Sequence, residues 1–265
     1  MVSVLSPTCD SALSALNPYF TDMRNLKTAL YGLAALGLAM FGGPVAADTG
    51  SPVVVELYTS QGCSSCPPAE AFLGELAKRP NVIALEFHID YWDYIGWKDP
   101  FASPDYTARQ RAYSARMGER YVYTPQMVIQ GQTHEVGSKR YLVEKKIALI
   151  RDNASPGPEV VLKKVDNSVQ VTVNGKPGDD AYDVFFVTFD AKHETKILRG
   201  ESRGKVLLNT NVVRAFEHIG RWTGDSFQEL VSLAGKKGDG GCAVIVQKAN
   251  QGPITAAAVM AYKGS

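Results

Sequence analysis

Two cysteines separated by two residues, Cys63 and Cys66, stand where a run of β-branched and apolar residues gives way to a pair of prolines. The run at 53–58, Val-Val-Val-Glu-Leu-Tyr, has the composition of a strand buried on both faces of a parallel sheet. Pro67 and Pro68 suit the first turn of a helix, where a backbone N–H has no intrahelical partner to lose. A strand feeding a helix through two close thiols leaves few folds open. It also narrows the chemistry to opening and closing a small disulfide ring or to holding a metal.

The pattern downstream chooses between folds. Residues 69–78 place Phe72, Leu73, Leu76 and Ala77 on one helical face, and Arg79-Pro80-Asn81 stops that helix. Residues 82–89 form a second near-continuous apolar strand. An aromatic-rich connection follows at 90–101, with neither helical nor strand period. Ser103 and Pro104 then begin a helix that runs to about Met117 and ends at Gly118. Strands at 126–130 and 133–136 flank the turn Gly131-Gln132, and an amphipathic helix spans 138–150. The order βαβαββα over residues 51–152 is the minimal thioredoxin topology, with the CxxC at its expected place.

Asn153-Ala154-Ser155-Pro156-Gly157-Pro158 reads as a linker, and beyond it the hydrophobic period becomes two. Eight short strands are expected over 159–265, with turns at Asn174-Gly175 and Asn250-Gln251-Gly252. The fold class expected is therefore α/β: a thioredoxin-like domain at 51–152 followed by a mostly antiparallel β-sandwich-like domain at 159–265.

The compartment follows from the other end of the chain. Met23 opens a basic segment with Arg24 and Lys27, residues 29–41 are apolar, and Val45-Ala46-Ala47 resembles a signal-peptidase site. Residues 23–47 are read as a cleaved signal peptide and residues 1–22 as a mis-called N-terminal extension. Gly42-Gly43-Pro44 interrupts the apolar run before the roughly 20 residues a membrane span needs, so no stable membrane anchor is expected after cleavage. The protein is expected in the periplasm or outside the cell. A net charge of +1 gives no electrostatic case for nucleic acid. Cys9 leaves with the leader, and Cys242, opening an apolar strand, reads as a buried small hydrophobe.

The residues expected to carry chemistry cluster around the thiols. At a helix N-terminus, unpaired amides and the positive end of the dipole favour a thiolate, so Cys63 is the exposed attacking sulfur and Cys66 the buried resolving one. Thr124-Pro125, immediately before a strand, matches the cis-proline loop that faces the thiols in thioredoxins and docks an extended substrate chain. Glu56 is a carboxylate in an apolar strand, placed to serve as proton acceptor beneath Cys66 or to reach solvent at the strand end. Asp90, Tyr91, Trp92, Asp93 and Trp97 leave the carboxyl end of a parallel strand, the end at which open α/β sheets build their sites, and form the candidate substrate groove. Asp90, His88 and His134 could join the thiols around a metal, but a second close-spaced ligand pair is missing, so no metal or other cofactor is expected.

The segments Glu56-Leu57-Tyr58-Thr59-Ser60-Gln61-Gly62-Cys63-Ser64-Ser65-Cys66-Pro67-Pro68 and 88–101, His-Ile-Asp-Tyr-Trp-Asp-Tyr-Ile-Gly-Trp-Lys-Asp-Pro-Phe, together resemble a family of secreted bacterial proteins catalogued as domain of unknown function 1223. The resemblance implies a thioredoxin-like domain and export from the cytoplasm, and it implies no reaction. From the site itself, the function expected is thiol–disulfide exchange on protein or peptide partners. The alternatives are a non-catalytic binding module with a structural CxxC disulfide, and a periplasmic metallochaperone.

Overall fold

The computed structural model describes residues 51–176, 180–224 and 226–262. Residues 23–47, expected to be a signal peptide, and residues 1–22, expected to be a mis-called extension, lie outside the described residues. Over residues 53–152 the element order is β1 (Val53–Thr59), α1 (Pro67–Leu76), β2 (Val82–His88), α2 (Pro104–Arg116), β3 (Gln126–Ile129), β4 (Thr133–Val136) and α3 (Arg140–Asp152). Within the aromatic connection Asp93–Ile95 makes one turn of 3-10 helix. β1 pairs parallel with β2, antiparallel with β3, and β3 antiparallel with β4.

Side-chain alternation along β1 divides the core. Val53, Val55 and Leu57 pack under α1 and α3, against Phe72, Leu73, Leu76, Val143 and Ile147. Val54 and Tyr58 point to the other face, against Tyr106 and Tyr113 of α2. Each such buried aliphatic or aromatic side chain contributes about 1.5–3 kcal/mol. Gly137, just after β4, lets α1 come close: a Cβ there would stand 2.9 Å from the Ala69 Cβ and 3.3 Å from Leu57.

The remaining strands are β5 (Glu159–Val165), β6 (Ser168–Asn174), β7 (Tyr182–Lys196), β8 (Val206–Trp222), β9 (Phe227–Ser232), β10 (Gly241–Lys248) and β11 (Ile254–Ala261). They do not build a β-sandwich of their own. Four of them extend the first sheet, giving one eight-stranded mixed sheet in the order β11-β10-β7-β8-β2-β1-β3-β4, and β5-β6-β9 form a smaller antiparallel sheet. The joint is β8 lying parallel to β2, with Glu86 opposite Val212. The physical reason is legible in β2: all seven of its residues are buried, and a strand buried on both faces is a poor sheet edge. The smaller sheet covers alternate residues of β7 and β10, including Val184, Phe186, Cys242, Val244 and Val246. Cys242 is thus a fully buried thiol in an apolar cluster, and burial raises its pKa. The expected strands at 182–189 and 195–198 belong to one strand, β7, which ends at Lys196 and stays paired with β8 through 190–196; its two register shifts, at Val184/Phe185 and Thr188/Phe189, lie within the first of them.

Candidate active site

The two thiols sit where β1 hands over to α1 and are joined as a disulfide. A tight turn carries the chain there, Cys63 N–H donating to Ser60 O at 3.0 Å and Cys66 N–H to Cys63 O at 3.3 Å. Cys66 is the N-cap residue of α1. Cys66 has no exposure and Cys63 only 5%, so the expectation of an exposed attacking sulfur needs correcting. The order of access is kept, but both sulfurs are covered.

The helix terminus also differs from expectation in its donors. Pro67 and Pro68 have no N–H to offer, and the next two amides, of Ala69 and Glu70, already donate to Cys66 O at 2.9 and 3.2 Å. What reaches Cys63 instead are hydroxyls. Thr124 Oγ1 lies 3.3 Å from Cys63 Sγ and Ser65 Oγ lies 3.4 Å from it. The Thr124–Pro125 bond is cis. Trp92 Nε1 donates to Thr124 Oγ1 at 2.7 Å, which ties the aromatic connection to the same point.

The other groove residues have separate places. Tyr91 OH donates to Gln110 Oε1 at 3.1 Å, and Gln110 Nε2 donates to Tyr123 O at 2.8 Å, bracing the loop that ends in Thr124. Asp90 accepts from Thr107 Oγ1 at 2.6 Å and so faces α2 rather than the thiols. Asp90, Tyr91, Pro104, Thr107, Ala108 and Arg111 line an open cavity of about 530 Å³. Asp93 caps its own loop by accepting from Asp99 N–H at 3.1 Å. Trp97 Nε1 donates to Gln61 Oε1 at 3.1 Å, just upstream of Cys63.

Glu56 is not under Cys66. It shares the parity of Val54 and Tyr58 and therefore lies on the α2 face, whereas α1 covers the opposite face. There it is fully buried against Arg109, whose Nε donates to Glu56 Oε1 at 2.9 Å. The buried acid on the Cys66 side is Glu70, one helical turn after Cys66 and 2% exposed. It accepts from Thr59 Oγ1 at 2.7 Å. Burial, with the Glu86 carboxylate nearby, pushes its pKa up to about 8, so it is mostly a neutral acid at pH 7.

Behind Glu70 lies a polar cluster that includes Gln61, His88 and Asp99, which fall in the two family-like segments; the sequence gives Gln61 and Asp99 no role and offers His88 only as a metal ligand. His88 Nδ1 stands 2.7 Å from Asp99 Oδ2, and its Nε2 3.5 Å from Glu86 Oε1. Burial opposes charge on His88, but the Asp99 and Glu86 carboxylates outweigh it and raise its pKa to about 10. Asp99 also accepts from Gln61 N–H at 2.7 Å and Phe101 N–H at 2.9 Å. Gln61 Nε2 continues to Thr195 Oγ1 at 3.0 Å and Asn209 Oδ1 at 3.1 Å, and Asn209 Nδ2 donates to Glu86 Oε1 at 2.8 Å. The C-terminal hairpin β7–β8 thereby holds the residue two before Cys63.

The residues considered for a metal are dispersed. His88 is engaged by Asp99 and Glu86, Asp90 by Thr107, and His134 by Tyr123 OH at 2.8 Å and Glu119 at 3.2 Å. Among the described residues no group of three or more His, Cys, Asp or Glu is arranged to hold an ion.

Comparison with known proteins agrees on family and is silent on reaction. A family model described as protein of unknown function DUF1223 matches residues 54–247. The crystal structure of protein AGR_C_4864 from Agrobacterium tumefaciens is similar, with 28% identity and a TM-score of 0.72, over 83% of this chain and 98% of that one. No curated protein matches the sequence.

Proposed function

The chain belongs to the DUF1223 family of proteins of unknown function, and we propose that it is an exported thiol–disulfide oxidoreductase built on a thioredoxin-like unit at residues 53–152. The observation that carries the reading is the contact between two loops distant in sequence: the Thr124 hydroxyl at 3.3 Å from the sulfur of Cys63, itself joined to Cys66. A permanent staple needs no second loop directed at one of its sulfurs. Partners are protein or peptide thiols and disulfides, docked along Thr124-Pro125 with Tyr91 and Trp92 beside them.

Oxidation of a substrate dithiol runs as two displacements. A substrate thiolate attacks Cys63 Sγ, the Cys63–Cys66 bond breaks, and its electron pair goes to Cys66 Sγ, which takes a proton. In this reading Glu70, a buried acid one helical turn after Cys66 whose pKa is raised to about 8, supplies that proton. The second substrate thiolate then attacks the substrate's own sulfur in the mixed disulfide. The substrate disulfide leaves, and Cys63 departs as a thiolate. Reduction of a substrate disulfide is the same sequence reversed, with Glu70 accepting the proton from Cys66.

The 5% exposure of Cys63 favours one other reading, a binding module whose disulfide is permanent. Trapping separates the two. In Cys66→Ala the resolving sulfur is gone, so an oxidoreductase accumulates mixed disulfides on Cys63 in periplasmic extracts. Absence of any Cys63-linked partner, with the variant folded, would count for the binding module.

A further inference from the structure

On the dithiol reading above, we infer that Trp92 is a positioning residue whose indole N–H aims the Thr124 hydroxyl proton at Cys63 and so holds the Cys63 thiolate in the reduced protein. An indole Nε1–H can only donate, so at 2.7 Å from Trp92 the Thr124 oxygen is an acceptor. A hydroxyl carries a single proton, and with a lone pair committed to the indole that proton turns to another acceptor. Cys63 Sγ lies 3.3 Å away. The Tyr91 phenol also lies near Thr124, and because its own proton goes to Gln110 Oε1 at 3.1 Å its oxygen can accept the Thr124 proton as well; in the reduced protein the charged Cys63 thiolate is the stronger acceptor of the two.

The relay matters because the usual stabiliser is reduced here. Two prolines and two amides already bonded to Cys66 O leave the first turn of α1 poor in free donors. A cysteine whose residue is only 5% exposed gains little from water either. A donated hydroxyl, polarised by the indole behind it, is a charge-assisted bond to the thiolate. Ser65 Oγ, at 3.4 Å, is a second neighbour, but among the described residues no donor fixes its proton as Trp92 does for Thr124.

The test is the pH midpoint of Cys63 alkylation in the reduced full-length exported protein, read by mass spectrometry of the labelled peptide. Thr124→Val should raise the midpoint by about one to two pH units, the value of a charge-assisted hydrogen bond. Thr124→Ser, which keeps the hydroxyl, should restore it. Trp92→Phe should raise it by about half to one pH unit and add nothing further in the Thr124→Val background. The sign is diagnostic, because merely uncovering Cys63 hydrates its thiolate and lowers the midpoint. An unchanged or lowered midpoint in Trp92→Phe, or an equal rise in both backgrounds, would overturn the relay. Failure of a dithiol to reduce the native protein would overturn the exchange reading and the relay together. A midpoint that behaves as stated in a protein that exchanges with no partner would overturn the exchange reading alone.

Discussion

Removing the charge from Asp99 should destabilise the oxidised protein strongly at pH 6 and weakly at pH 10. Asp99 is 2% exposed and accepts from His88 Nδ1, Gln61 N–H and Phe101 N–H. In Asp99→Asn the shape survives, but a buried imidazolium is left with Glu86 alone, at 3.5 Å. Breaking a buried pair by neutralising one partner costs about 3–5 kcal/mol. Linkage gives an independent figure. His88 titrates near 6.5 in an unfolded chain and near 10 in the fold; that interval corresponds to on the order of 5 kcal/mol. Because the folded value is the raised one, this stability is fully present below pH 6.5 and is lost as pH rises through 10. Without the Asp99 charge the burial effect, which lowers His88, regains weight, so the variant's ring releases its proton at a lower pH than the wild type's. The assay is urea unfolding of both proteins with the disulfide intact at pH 6, 8 and 10. The gap between them should shrink by most of its value across that range. An equal gap at pH 6 and pH 10, or one below about 1 kcal/mol at pH 6, would refute a charged His88 held by Asp99.

Glu70→Gln should remove the part of the pH dependence that lies between 4.5 and about 8, where the raised acid loses stability as pH rises, and should slow reduction of the disulfide by dithiol; unfolding curves and stopped-flow reduction check the two effects separately. Arg109→Ala should cost about 3–5 kcal/mol, because it leaves the fully buried Glu56 without its charge partner. Its Cys63 alkylation midpoint should stay at the wild-type value, since Glu56 and Arg109 lie on the sheet face opposite α1.

The first seven elements were legible because each is announced locally. Valine-rich β1, the two prolines that open α1, Ser103 capping α2 and Gly131 turning β3 into β4 are signals read within a few residues. The junction of β8 with β2 has no such local mark, since it pairs Glu86 with Val212, far along the chain. Its trace in the sequence is indirect: β2 carries apolar side chains toward both faces, Val82 and Ala84 on one and Ile83, Leu85 and Phe87 on the other, which argues against an edge position. Parity within β1 likewise held the correction for Glu56, which alternates with Val55 and Leu57 beneath α1. Glu70 was hidden for a different reason. In the pattern of α1 it resembles Glu75, a half-exposed partner of Arg140, and only its burial beside Thr59 of β1 and Glu86 and His88 of β2 distinguishes the two. The Asp99–Gln61 clamp depends on loop geometry that no periodicity encodes.

The central claim is that Cys63 and Cys66 cycle between disulfide and dithiol in the native fold. A redox titration of the purified protein with differential alkylation, read by mass spectrometry, tests it most directly. The account predicts a reversible two-electron transition confined to Cys63 and Cys66, with Cys63 labelled before Cys66 and Cys242 unlabelled until the protein unfolds. A Cys63–Cys66 bond that stays closed across the titration until denaturant is added would contradict it.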